Sequence, residues 1–300
     1  MGKLLRLDKP NQLISVIPKS EINLIQQKCF NVFLRKAQRG LMFDTKYKNK
    51  EINKNTRYIF QIACKELKDK AGLSRNDYEY IKDELKKLTT IVVEVNDKNN
   101  KDHWSIFSLL ERVEREGDIF EFSLDWMIMK ALKEHNYFTK IDLLQIAKLD
   151  SRYSVILYEM AKRYYDKNNK YIKIPKMTVE EFRKTTKTEN KYVLMADLKR
   201  YVLDKACKEI SEKTDIILSY QTEKRGRKIA YIDFKIEKKI EQNTIPIKTP
   251  TQKEYSPEVL DLFQLLPAVE QVASNKRELA KLLTDHSFRY LKADILYAKN

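Results

Sequence analysis

Six cations in one stretch carry the most chemical information in the chain. Lys199 and Arg200 lie in a segment with helical periodicity. Lys224, Arg225, Arg227 and Lys228 crowd a turn around Gly226. Ammonium and guanidinium groups at this density suit the oxygens of a polyanion, to which they donate charge-assisted hydrogen bonds. On nucleic acid they would make groove or phosphate contacts.

No competing catalytic arrangement is legible. There is no GxxxxGK[ST] phosphate loop, no GxSxG and no HExxH. His103, His135 and His286 are isolated and form no His-x-His metal pair, so strand nicking through a metal-assisted tyrosine has no support. Acidic pairs such as Glu180-Glu181 sit at helix starts, where the helix dipole explains them. Cys29, Cys64 and Cys207 are far apart and odd in number, which indicates neither a zinc site nor a disulfide framework. They are expected to be small buried hydrophobes. No catalytic residue, cofactor or metal is therefore expected.

The cations need elements to hold them. Leu194, Leu198, Val202, Ala206 and Ile210 recur every four residues and fall on one helical face, with Lys199 and Arg200 off it. Ile216–Tyr220 and Ile229–Ile236 read as two strands, with the basic turn between them. An amphipathic helix followed by a basic-tipped hairpin is the layout of a winged helix. A structural helix packed on a hairpin, with merely solvated charges, would give the same local pattern. Two wider features favour nucleic acid. The 300-residue chain has a net charge of +16. A similar unit also precedes this one.

In that earlier unit Ser20 is the expected cap of a helix from Glu21 to Arg39, ended by Gly40. Its inward stripe includes Ile22, Ile25, Cys29, Val32, Phe33 and Leu34. Lys65–Ala71, the turn at Gly72 and a helix from Arg75 to Leu88, capped by Ser74, read as a helix–turn–helix. Tyr78, Ile81, Leu85 and Leu88 should face inward. Arg75, Asn76, Lys82 and Lys86 then face out as candidate DNA contacts. Strands follow at Ile91–Val95, Trp104–Leu110 and Ile119–Ser123, and a helix at Leu124–His135. Past this unit, helices are expected at Ile141–Leu149 and Ser151–Asp166, the latter suited to packing between the two lobes. Thr178 and Glu181 form a capping box that opens the helix expected to play the part of the first helix–turn–helix helix in the second unit.

The fold class is thus α+β: two winged-helix domains in tandem with a C-terminal helical appendage. The expected divisions are an N-terminal arm at 1–18, a first winged helix at 19–137 and a second at 138–239. A linker at 240–256, marked by Pro246 and Pro250, leads to a small helical segment at 257–300. No apolar run approaches membrane-spanning length, no signal-peptide pattern opens the chain, and a cytoplasmic location is expected.

The second unit resembles the C-terminal winged helix of the plasmid replication initiators of the Rep_3, iteron-binding family. The resemblance rests on ADLKRYVLDKACKEISEKTDIILSY followed by KRGRKIAYIDFKI. The family's turn is matched by Glu209–Thr214 and its wing tip by Gly226-Arg227-Lys228. The first unit is similar through YEYIKDELKKLTTIVVEV and LDSRYSVILYEMAKRY, so the likeness covers about residues 12–238. Family members carry a run of Arg near the start of the second recognition helix. Here only Lys199 and Arg200 fill it, followed by Tyr201, so which residues read bases at that end is open.

The resemblance implies a protein that binds direct repeats in double-stranded DNA at a plasmid origin. It implies opening of an adjacent AT-rich tract and recruitment of host helicase and initiator machinery. It also implies a homodimer through the first winged helix that represses its own promoter. A tandem winged-helix transcriptional regulator without a replication role shares the fold and differs only in target.

Overall fold

The computed structural model describes residues 5–15, 17–73, 78–96, 102, 104–134, 137–165, 174–239, 257–265, 279 and 292. The chain divides into two compact units, residues 1–240 and 241–300. In the second unit the described element is a helix at Pro257–Leu265, with Val259 and Leu262 buried.

The first unit opens with strand β1 (Arg6–Pro10) and a short helix α1 (Asn11–Ser15). This departs from the expected free arm. Leu7 is fully buried, and β1 pairs antiparallel with β7 (Phe138–Asp142) from Arg6↔Asp142 to Pro10↔Phe138. The expected helix at Ile141–Leu149 is correspondingly a strand followed by a shorter helix, α6 (Leu143–Ala147). Thr139 and Ile141 turn to the buried face while Phe138 and Lys140 stay exposed, a two-residue alternation that fits a strand. Asp142 then caps α6 by accepting from Leu144 N–H.

Helix α2 runs from Leu24 to Phe43. Asn23 takes the cap expected of Ser20, because Asn23 and Gln26 satisfy each other's backbone N–H groups in a capping box. Gly40 does not end the helix. A Cβ there would lie 2.5 Å from Phe60 Cε1, so the glycine serves close approach of β2 (Tyr58–Ala63) to the helix. Helix α3 (Cys64–Ala71) ends at Gly72, which is left-handed at φ +63° as the turn requires. Helix α4 (Tyr78–Thr89) buries Ile81, Leu85 and Leu88 as its spacing predicts.

Strands β3 (Val92–Asn96) and β4 (Trp104–Ser108) form an antiparallel hairpin after α4. The third expected strand does not join them. Strand β6 (Ile119–Leu124) lies between β2 and β5 (Arg112–Glu116), a strand with no counterpart in the sequence reading. Its burial alternates only weakly, because it is an exposed edge. Phe33, Phe60 and Phe122 knit this sheet to α2, with Phe33 and Phe122 stacked at 4.2 Å. Helix α5 (Trp126–Lys133) closes the first half.

Helix α7 (Arg152–Arg163) is capped by Ser151 and joins the two halves. Its Glu159 receives Lys9 of β1 in a buried ion pair at 2.8 Å, supported by Asn31 of α2. Beyond it come β8 (Met177–Thr178), helix α8 (Val179–Thr186), and a helix in three sections: α9 (Met195–Leu198), a π-helical turn (Lys199–Leu203) and α10 (Asp204–Lys213). Strands β9 (Ile216–Arg225) and β10 (Lys228–Lys238) complete a sheet ordered β8-β10-β9. The capping box of Thr178 and Glu181 forms as expected. The three cysteines are buried and unpaired. Among the described residues no helix is long and apolar enough to cross a membrane.

Candidate nucleic-acid interface

The long helix of the second half explains where its cations point. A repeat of four residues advances 400° on a helix, so a stripe of four such steps drifts off one face. The π-helical turn at Lys199–Leu203 inserts the extra residue that absorbs this drift. Leu198, Val202, Ala206 and Ile210 are consequently all fully buried, with Leu203 beside them. Leu194, the first member of the predicted stripe, is instead 67% exposed, because the helix begins only after it.

Arg200 is exposed and Lys199 half-buried, and neither makes an ion pair with a described residue. Arg200 lies over the Tyr201 ring at 5.3 Å, and Lys205 lies over the same ring at 5.3 Å. Tyr201 in turn stacks on Tyr192, with centroids 5.7 Å apart. Lys205 and Lys208 are exposed on the same helix and were not singled out by sequence reasoning. Their helical spacing from Tyr201, four and seven residues on, is the signal that could have found them.

Strands β9 and β10 form the wing. Register runs from Lys238↔Ile216 to Lys228↔Arg225, and Gly226 closes the tip in the left-handed region at φ +65°. Lys224, Arg225, Arg227 and Lys228 are all exposed around it, and none is ion-paired with a described residue. The wing is tied to the helix. Tyr220 Oη of β9 donates to Asp204 Oδ1 at 2.6 Å, and the Leu218 N–H donates to Ser211 Oγ at 3.0 Å. Burial together with the Asp204 carboxylate raises the Tyr220 phenol well above its ordinary value, so it remains a donor. Helix cations and wing cations thus sit on one scaffold.

In the first half Lys82 and Lys86 are exposed on α4 as expected. Lys82 is held by Glu79 at 2.9 Å, and that hydrogen bond raises its pKa. Arg75 and Asn76 lie outside the described residues, as do the three histidines. Arg115 of β5 covers the Tyr78 ring at 4.4 Å at the start of α4, an interaction that required the unforeseen strand. The β3–β4 hairpin exposes Trp104 and Ile106.

Two helix–turn–helix units, each followed by a hairpin and presenting exposed cations, define a tandem winged-helix protein. The sequence matches the family model described as "Initiator Replication protein, WH1" over residues 6–162 and that described as "Initiator Rep protein, WH2" over residues 178–236. The chain belongs to this family of replication initiators. It is 33% identical over 125 residues to the PI protein of Escherichia coli, an alignment covering 38% of this chain and 41% of that relative. The chain therefore aligns with less than half the length of its curated relative. A crystal structure of the Pi initiator protein in complex with iteron DNA superposes with a TM-score of 0.58 at 20% identity. The match covers 80% of this chain and all of that one, and it supports the fold.

Proposed function

We propose that this protein is a plasmid replication initiator that binds direct repeats at its origin in double-stranded DNA. The reading is carried by the coincidence of the family match over both halves with the cation-bearing helix and wing of the second half. Lys199 and Arg200 approach the major groove, and Lys224, Arg225, Arg227 and Lys228 hold the flanking phosphates. Arg75, Asn76, Lys82 and Lys86 play the corresponding part in the first half. The Pi initiator, a structural neighbour, is crystallised on iteron DNA, which supports the same ligand here.

Binding two successive groove faces places the protein to promote opening of an adjacent AT-rich tract and to recruit host helicase and initiator proteins. A homodimer through the first winged helix would repress the protein's own promoter. The role is one of binding in the cytoplasm, with no catalytic step assigned to the chain.

The test is a gel-shift titration with DNA flanking the gene against a shuffled duplex, at two salt concentrations. A ladder of discrete shifts matching the direct repeats and surviving competitor is expected. Lys199→Ala with Arg200→Ala removes two charge-assisted donors and should weaken that binding at least about tenfold. Equal, salt-sensitive smearing on both duplexes would refute the proposal.

A further inference from the structure

Val193 and Leu194 are among the most exposed large apolar side chains of the described residues, at 78% and 67%. They immediately precede α9, at the N-terminal end of the recognition helix. Such exposure would be ordinary on a loose loop, but this loop is fixed. Arg183 of α8 donates from Nη1 to the carbonyls of Thr188 and Lys191 at 2.8 and 2.9 Å. It donates from Nη2 to the carbonyls of Tyr192 and Val193 at 2.8 and 3.1 Å. One guanidinium thus holds four carbonyls, leaving the two side chains directed to solvent.

Tyr192 adds a second anchor. It adopts a left-handed φ of +52°, and its ring stacks on Tyr201 of the recognition helix and meets Tyr153 of α7 edge-on at 6.4 Å. Leu194 occupies the helix N-cap, where its carbonyl accepts from the Asp197 and Leu198 N–H groups. Ser, Thr, Asp or Asn at that position would add a side-chain hydrogen bond, which this sequence forgoes for an apolar group.

The surroundings select the partner. Arg200 and Lys205 flank Tyr201 beside the loop, and the basic wing is tied to the same helix through Tyr220 and Asp204. An exposed apolar pair at the start of a helix that carries exposed cations complements a polyanion that carries apolar groups in a groove. When a helix–turn–helix enters the major groove, the N-terminal end of its second helix meets the base edges. The apolar group displayed there is the C5-methyl of thymine.

We infer that Val193 and Leu194 read thymine methyl groups in the major groove, on a loop that Arg183 positions. The inference rests on the double-stranded DNA reading above and adds the chemistry recognised at one end of the site. Uracil pairs as thymine does and lacks only the methyl. The probe is therefore the gene-flanking repeat DNA synthesised with thymine or with uracil throughout, each titrated beside a shuffled duplex.

The wild-type protein should bind the uracil duplex about fourfold more weakly for each methyl it contacts, the factor expected from burying one such group. In Val193→Ser with Leu194→Ser, the thymine-to-uracil affinity ratio on the repeat DNA should fall towards one. Val193→Ala with Leu194→Ala, which adds no hydroxyl, should give the same collapse. A variant that keeps the wild-type ratio overturns the inference, and so does a wild-type protein indifferent to uracil. A wild-type protein with no preference for the repeats over the shuffled duplex would instead sink the DNA reading on which it rests.

Discussion

The Tyr158 hydroxyl donates to Asp215 Oδ1 at 2.9 Å, while Lys162 Nζ meets the other oxygen of that carboxylate at 2.7 Å. Tyr158 is fully buried in α7, and Asp215 stands between α10 and β9. The helix that joins the two halves therefore grips the scaffold carrying the wing. Burial and the neighbouring Asp215 raise the phenol far above its ordinary value, so it stays a donor at any working pH. Tyr158→Phe removes one hydrogen bond and keeps the packing, and should lower unfolding free energy by about 1 kcal/mol. Urea denaturation of the full chain measures it, and an unchanged midpoint would show that Lys162 alone suffices for Asp215.

The wing predicts a change in salt dependence rather than in sequence preference. Replacing Lys224, Arg225, Arg227 and Lys228 by Ala should reduce the slope of log affinity against log salt by about 0.9 for each phosphate no longer neutralised. The ratio of affinities for repeat and shuffled duplex should stay nearly constant, because phosphates carry no sequence information. Titrations at several salt concentrations decide this. A collapse of the ratio with an unchanged slope would place the wing on bases instead.

Gly40→Ala sets two effects against each other. Alanine improves helix propensity by about 1 kcal/mol. Its Cβ, however, would lie 2.5 and 2.9 Å from the Phe60 ring, which is buried and packed against Tyr47 and Phe122. Overpacking of this kind costs about 1–3 kcal/mol, so the substitution should destabilise. A higher denaturation midpoint would mean that the ring relaxes easily.

A pH dependence follows from Lys213, which bridges Asp150 at 2.5 Å and Glu209 at 2.8 Å. The hydrogen bond from Lys213 lowers the Asp150 pKa. For Glu209, burial acts upward but is outweighed by hydrogen bonds from Lys213 and the Asp150 N–H, and the net direction is down. Lys213 is raised by the same two carboxylates. As pH falls through the folded-state values of the acids, the unfolded chain takes up protons first, and the stability they contribute above their ordinary range is lost. The contribution of Lys213 is complete below its ordinary value and is lost only as pH rises through the raised one. Between neutral pH and about pH 3.5 the wild type should therefore lose more stability than Lys213→Met, a difference read from urea midpoints. Equal losses would show that the bridge is too solvent-screened to matter.

Elements whose pattern is local could be read without the fold. The capping box of Thr178 and Glu181, the left-handed turn at Gly72, the buried face of Ile81, Leu85 and Leu88, and the cationic wing tip at Gly226 all stand where their spacing puts them. Elements defined by a distant partner could not. Residues Arg6–Pro10 become a strand only because Phe138–Asp142 lies alongside, and Arg112–Glu116 only because β6 does. Gly40 has the composition of a helix end, yet serves contact with Phe60, twenty residues on.

The candidate site divides in the same way. Its cations and the helix and hairpin that carry them were determined by the sequence, since charge, period and turn chemistry are properties of neighbouring residues. Tertiary structure decided what surrounds them. It set a π-helical turn between α9 and α10, placed Tyr192 on Tyr201, and brought Arg183 under the carbonyls that hold Val193 and Leu194 outward. Those contacts depend on packing between separate elements, which no local periodicity encodes.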